Sequence, residues 1–360
     1  MSDLFSPVSV SSLRLGNHFA MAPMTRVKSP GGIPNDENVE YYRQRAAGGV
    51  GLIISEGTLV RGPAAGPSPD IPRFYGDASA EGWAKVVAAV HAEGGSMVPQ
   101  LWHVGVARGA TSEFEPEEQS VSPSGVDPAG VPTGRATTRD DLDAIVASFV
   151  ESATLARSIG FDGVELHGAH GYLLDQFLWE QTNRRTDEYG GSIERRSVFP
   201  AEVVAAVRQA VGPDFPIIFR YSQWKGTDYD ALLATTPAEL DQVLAPLVGA
   251  GVDIFHVSTR RHWAPGFPDD PTGLAGWTKR VTGRPVITVG SVGVETVFRS
   301  EAEAVPLSSP ERFRVLEEQF DRGEFDLVAL GRALLADPEW VAKAGAGRWD
   351  EIEAFSPQPA

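Results

Sequence analysis

The chain contains no cysteine. That excludes disulfides, thiolate nucleophiles, thiolate zinc sites and cysteine-ligated iron–sulfur clusters. No run approaches the roughly 18 apolar residues of a membrane-spanning helix, and the start lacks the basic and apolar segments of a secretory leader. The expectation is a cytoplasmic protein. Positive charge is in short supply: 31 Lys and Arg stand against 48 Asp and Glu, a net charge of −17. Such a balance argues against a nucleic-acid surface and an anionic membrane, so an anionic ligand needs a local basic pocket. No Gly-x-Gly-x-x-Gly follows an early strand, which disfavours the open dinucleotide-binding fold.

What is present is an ordinary globular composition, 42% hydrophobic and 22% charged over 360 residues, enough to bury a real core. Val8–Val10 and Leu13–Leu15 read as a small hairpin. Apolar runs without polar alternation then recur at His18 to Met24, Gly51 to Gly57, Ser96 to Leu101, Phe161 to Leu166, Pro216 to Tyr221, Asp253 to Val257, Pro285 to Val289 and Phe325 to Leu330. Continuous apolar runs are strands buried on both faces of a parallel sheet. Helical segments separate them, among them Asn38–Ala47, Ser79–Glu93, Thr138–Ile159, Ile193–Val211, Pro237–Ala250, Leu274–Val281, Pro310–Asp321 and Arg332–Ala344. Eight such alternations in this length predict an α/β fold, a (β/α)8 TIM barrel with an N-terminal β-hairpin cap and long βα loops at its C-terminal face, as a single domain over residues 1–360. The stretch 103–137, rich in Gly, Pro, Ser and Glu, is read as a lid or substrate rim, with a solvated insertion as the alternative.

In such barrels the active site lies at the C-terminal strand ends. The richest of these ends is Val164-Glu165-Leu166-His167-Gly168-Ala169-His170-Gly171-Tyr172, a strand running into a glycine-punctuated turn. Two imidazoles can hold a carbonyl or nitro oxygen and stabilise charge arriving there. A phenol of ordinary pKa about 10 is protonated at pH 7 and can give a proton to a neighbouring carbon. The other strand ends supply Ala22-Pro23-Met24-Thr25, Glu56-Gly57, Gln100-Leu101-Trp102-His103, Arg220, His256 to Arg261, Gly290-Ser291 and Gly331-Arg332. Hydrogen-bonding groups abound and carboxylates are few, which favours an anionic ligand over a divalent metal. Val289-Gly290-Ser291 and Gly331-Arg332 follow the seventh and eighth strands, a common phosphate position in barrels. Arg220 needs an anionic partner, either a ligand or a neighbouring carboxylate; Gln100 is either a ligand contact or a satisfied core amide.

Ala22-Pro23-Met24-Thr25-Arg26, Gln100-Leu101-Trp102-His103, His167 to Tyr172, Asn183 to Ser192 and Leu330-Gly331-Arg332 with Asp337-Pro338, separated and in order, resemble the Old Yellow Enzyme family of FMN-dependent ene-reductases. The resemblance implies bound FMN and NAD(P)H as hydride donor. Ala22, Pro23, Met24, Thr25 and Gly57 would lie along the flavin, Gln100 at its pyrimidine edge, and Arg220 where positive charge favours the reduced form. Val289, Gly290, Ser291, Gly331 and Arg332 would hold the phosphate end. His167 and His170 match the pair that binds the substrate's activating oxygen, and Tyr172 the proton donor. Trp102 and Trp263 are pocket walls or loop packing. The implied activity is hydride transfer from NAD(P)H through flavin N5 to the β-carbon of α,β-unsaturated carbonyls or nitroalkenes, in a monomer or homo-oligomer that binds neither nucleic acid nor membrane. Arg108, Arg260 and Arg261 meet a nicotinamide phosphate or are solvated. The competing readings are a metal-dependent barrel hydrolase using His103, His167, His170 and His256, and a non-catalytic flavin-binding protein.

Overall fold

The eight apolar runs close into a barrel in the computed structural model, which describes residues 3–109, 114–294 and 310–355. The barrel strands are strand 1 (Phe19–Met21), strand 2 (Leu52–Leu59), strand 3 (Ser96–Trp102), strand 4 (Val164–His170), strand 5 (Ile217–Lys225), strand 6 (Ile254–Ser258), strand 7 (Val286–Val289) and strand 8 (Leu327–Leu330). Each pairs in parallel with the next, and strand 8 closes onto strand 1. Every residue of strand 2 is buried, the burial that its unbroken apolar run implies.

Side chains alternate along each strand, one set outward against the helices and one into the barrel. The inward set at the lower end is apolar: Ala20, Leu52, Val98, Ile218, Ile254, Ile287 and Leu327 form one cluster with Val10, Leu13 and Leu15 of the hairpin. The hairpin therefore closes the bottom of the barrel. Above this plug the same inward positions become polar. Gln100 stands opposite Glu165, and His167, Arg220 and His256 lie side by side on strands 4, 5 and 6.

Several boundaries differ from expectation for local reasons. Strand 5 runs four residues past Tyr221, to Lys225, and carries Trp224 up to the site. The single helix expected over Arg332–Ala344 is two, Arg332–Ala336 and Trp340–Gly345, because Pro338 cannot continue the hydrogen-bond ladder. Asp337 at the break accepts from Lys343 Nζ at 2.8 Å. The expected helix Ile193–Val211 is likewise divided, into Ile193–Arg196 and Val198–Val211. Strand 4 is followed at once by an unexpected short helix, Leu173–Leu178, with Tyr172 at its N-cap.

Of the stretch 103–137, residues 110–113 lie outside the described residues; the remainder includes a turn of 3-10 helix at Gly105–Arg108 and a two-residue pairing of Val121–Ser122 with Arg135–Ala136. Arg108 is buried, and its guanidinium donates to the carbonyls of Phe114, Glu115 and Glu118. It braces the loop; it does not reach out as the solvated or phosphate-meeting group expected. No helix among the described residues is long and apolar enough to cross a membrane.

Candidate active site

A cavity of about 430 Å3 opens at the C-terminal mouth of the barrel, bounded by residues from most of the strand ends. It gathers Ala22, Pro23, Met24 and Thr25 after strand 1, Gln100 and Trp102, then His167, His170 and Tyr172, then Arg220. Val289, Gly290 and Ser291 after strand 7, and Gly331 and Arg332 after strand 8, complete the far wall. Two residues expected here are elsewhere. Gly57 sits behind Trp102, where a Cβ would come within 2.5 Å of the indole, so its missing side chain makes room for the tryptophan. Trp263 lines a neighbouring apolar cavity of about 330 Å3 with Val292, Phe313, Trp340 and Trp349.

The turn after strand 4 is held by a buried framework. His170 has a positive φ of 64°, sparsely populated for a residue with a Cβ. Its backbone N–H donates to Ser222 Oγ at 3.0 Å, its Nε2 is 2.8 Å from Ser258 Oγ, and its ring stacks on Trp224 with centroids 4.3 Å apart. The next N–H, of Gly171, donates to Asp175 Oδ2 at 2.7 Å, and Asp175 is paired with Lys225 at 2.6 Å. Both members of that ion pair are fully buried. Tyr172 is thereby presented with its ring 4.8 Å from that of Trp102 and 4.9 Å from that of His167.

Burial and the neighbouring Arg220 hold both His167 and His170 well below the ordinary imidazole range, so each ring is neutral at pH 7. The N–H of Ala169 donates to His167 Nδ1 at 3.3 Å. In a neutral ring that leaves the proton on Nε2, which is then a donor. Below them Gln100 Nε2 of strand 3 donates to Glu165 Oε1 at 2.7 Å, and His256 Nδ1 of strand 6 donates to Glu165 Oε2 at 2.6 Å.

Arginine dominates the electrostatics. Arg220 is buried, its Nε has no hydrogen-bond partner, and desolvation lowers its pKa. Glu165 is near enough to act on it electrostatically but forms no ion pair with it. Arg260 lies near enough to Arg332 to lower its pKa, second only to burial. Arg260 packs over the Tyr229 ring at 3.8 Å, and its Nη1 is buried without a partner. Uncompensated buried guanidinium is costly unless an anion meets it. The one carboxylate among the predicted strand ends, Glu56, is committed to Arg26, Asn38 and Tyr42. The cavity thus offers cationic groups at Arg220 and at Arg260 with Arg332, together with apolar and backbone surface.

Ser258 and Thr259, within the expected end of strand 6, line the cavity as well, and so does Trp224, which was not anticipated. A signal for it exists: Arg220, Ser222 and Trp224 follow the two-residue period of a strand face, which extends strand 5 beyond its apolar run. The four histidines of the hydrolase reading do not converge. His103 accepts from Gly105 N–H at 3.1 Å in its own loop, His256 is bound to Glu165, and among the described residues no group of three His, Asp or Glu side chains could hold a metal.

Residues 3–351 match the model of the NADH:flavin oxidoreductase / NADH oxidase family. The chain belongs to this family, that of the Old Yellow Enzymes. It is 36% identical over 360 residues to an NADH oxidase of Thermoanaerobacter brockii, an alignment covering 97% of this chain and 52% of that protein. It is 32% identical over 380 residues to 12-oxophytodienoate reductase 7 of Oryza sativa subsp. japonica, covering 99% and 92%. Thus the chain spans about half the length of the first relative and nearly all of the second. Among solved structures, morphinone reductase in complex with tetrahydroNAD superposes with a TM-score of 0.80 at 31% identity, covering 100% of this chain and 93% of that one. The cofactors of this family membership are FMN and a nicotinamide. The residues present fit FMN: a cavity at the barrel mouth with partnerless guanidinium nitrogens at Arg220 and Arg260 suits a polar ring system joined to a phosphate.

Proposed function

We propose that this chain is an FMN-dependent ene-reductase. FMN, when bound, would supply two-electron chemistry between NAD(P)H and the β-carbon of an activated alkene, an α,β-unsaturated carbonyl or a nitroalkene. The observation that carries this reading is the meeting, in one cavity, of a buried guanidinium whose Nε has no partner with two neutral imidazoles and a phenol.

Ala22, Pro23, Met24, Thr25, Gln100 and Arg220 would hold the ring system, and Val289 would begin the phosphate end. Gly290, Ser291, Gly331 and Arg332, joined by Arg260, would hold the phosphate. The donor on His167 Nε2 binds the substrate's carbonyl or nitro oxygen, and His170, pinned by Ser258 and Trp224, completes the oxygen site. Because both rings are kept neutral, they act as hydrogen-bond donors that polarise the substrate without being spent as acids. Tyr172 delivers the proton to the α-carbon. Trp102 closes one wall and excludes water from it. The names of two relatives, 12-oxophytodienoate reductase and morphinone reductase, are in keeping with a reductase.

The test is an absorption spectrum of the purified protein, followed anaerobically by NADPH or NADH and then 2-cyclohexenone. Flavin bands that bleach with the nicotinamide and return with the enone are expected. A protein that reconstitutes with no flavin would overturn the reading; bleaching without recovery by any enone or nitroalkene would overturn its alkene half.

A further inference from the structure

Below the cavity floor lies a chain of polar groups that none of the direct contacts proposed above explains. Glu165 and His256 are fully buried, inside a barrel whose neighbouring inward positions are Val98, Ile218, Ile254 and Ile287. A carboxylate in such surroundings is costly unless it is hydrogen-bonded on both oxygens, and here it is: Gln100 Nε2 donates to one and His256 Nδ1 to the other. Only Gln100 of the three borders the cavity.

This arrangement has two consequences. First, it decides which way the Gln100 amide faces. With its nitrogen committed to Glu165, its carbonyl oxygen is the group left to accept from a ligand. Second, it sets a carboxylate close enough to act electrostatically on Arg220 without an ion pair that would occupy the guanidinium. His256 holds that carboxylate from the far side, and its own Nε2 is buried with no partner, so the ring serves Glu165 alone. Arg220 stands beside His256 on strand 5, with the neutral ring of His167 beyond it on strand 4.

We infer that Glu165 and His256 are positioning residues for the flavin: the pair presents the Gln100 amide as an acceptor and tempers the Arg220 charge, so that it sets both FMN affinity and reduction potential. The inference rests on the FMN reading above. It differs from a purely structural role, which would change stability but would not move the potential in a defined direction.

Three variants separate the effects. Glu165→Gln is nearly isosteric and keeps both hydrogen bonds once His256 changes tautomer, so it removes chiefly the negative charge. Its potential should rise, because the reduced cofactor, richer in electrons, then meets Arg220 uncompensated; a tenfold gain in reduced-over-oxidised affinity corresponds to about 30 mV for a two-electron couple. His256→Leu removes the donor that holds Glu165 and should weaken binding of FMN to the apoprotein by about tenfold, the order expected for freeing one hydrogen-bonded charged group. His256→Gln, which can still donate to Glu165, should restore most of that affinity.

The measurements are FMN titration of apoprotein by fluorescence and a dye-equilibrated reduction potential, on wild type and variants. A Glu165→Gln potential equal to or below that of wild type would overturn the inference, as would unchanged FMN affinity in His256→Leu. Should His256→Leu not accumulate, the Glu165→Gln potential decides alone. Failure of wild type itself to bind FMN would instead strike the FMN reading, so the two failures are distinguishable.

Discussion

The two ends of the barrel are built from the same eight strands and do opposite things. At the lower end the inward positions are Ala20, Leu52, Val98, Ile218, Ile254, Ile287 and Leu327, sealed by Val10, Leu13 and Leu15 of the hairpin. One or two steps along strands 3 to 6, the same face carries Gln100, Glu165, His167, Arg220, His256 and Ser258. The lower end satisfies itself by packing. The upper end leaves Arg220 Nε, His256 Nε2, Trp102 Nε1 and Arg260 Nη1 buried without partners. A polar layer of this kind is tolerable because the apolar plug beneath supplies the stability that the site gives up.

The sharpest test of that division is Ile218→Ala at the lower end. Ile218 is fully buried, and truncation should cost about 2–5 kcal/mol in denaturant unfolding while the bound-flavin spectrum is unchanged. A perturbed spectrum with little loss of stability would break the distinction between plug and site.

Acid comes next, because the buried imidazoles occupy the upper end and its loops. Burial lowers His103 to about 4 from 6.5, and His167, His170, His256 and His262 are also lowered. The unfolded chain therefore binds protons that the folded chain refuses. Stability is at its fullest above about pH 6.5 and declines as pH falls toward the folded values. For His103 alone the full shift amounts to about 3 kcal/mol. Urea midpoints that stay level between pH 7 and 4.5 would contradict it.

Tyr172→Phe removes one oxygen from the site and nothing from the plug. Alkene reduction should slow by about 100-fold, the lower range for a lost general acid, while flavin reduction by NAD(P)H survives in stopped flow. Equal alkene turnover would remove Tyr172 as the proton donor. Gly57→Ala then probes how closely the site is packed: its Cβ would meet the Trp102 indole at 2.5 Å, so a loss of about 1–3 kcal/mol is expected, as for overpacking, together with a raised KM as Trp102 shifts. The smallest effect belongs to Trp263→Ala. Trp263 is 39% exposed and lines the neighbouring cavity, so stability should stay within about 0.5 kcal/mol and the alkene KM should not move. A raised KM would return Trp263 to the pocket wall.

Most of this contrast was legible before any coordinates. Unbroken apolar runs alternating with helical segments pointed to the barrel, and the residues just past each run were the ones brought together at its mouth. The exceptions have physical reasons. Trp224 was hidden because strand 5 continues through a polar stretch, where hydrophobicity no longer marks the strand. Gly57 looked like a ligand-side glycine, but the group that needs its space is a side chain of the same protein. Trp263, one of the aromatic residues near the strand ends, turned toward Val292 and Trp340, a choice that no local spacing encodes. The break at Asp337-Pro338 is encoded by the proline, within a stretch whose apolar spacing is helical on both sides of it.

The sequence by itself determined the strand count, the inward period of each strand and the residue types at the strand ends, because these depend on local alternation and on which side chains tolerate burial. Only the tertiary structure decided which of those groups are satisfied by one another. Whether Glu165 pairs with Arg220 or with Gln100 and His256, and whether Asp175 meets Lys225 beneath the Tyr172 turn, depends on register across strands and on the stagger of the closed barrel. Partners 50 to 91 residues apart share no sequence period, and the charge left over for a ligand is what remains after they have found each other.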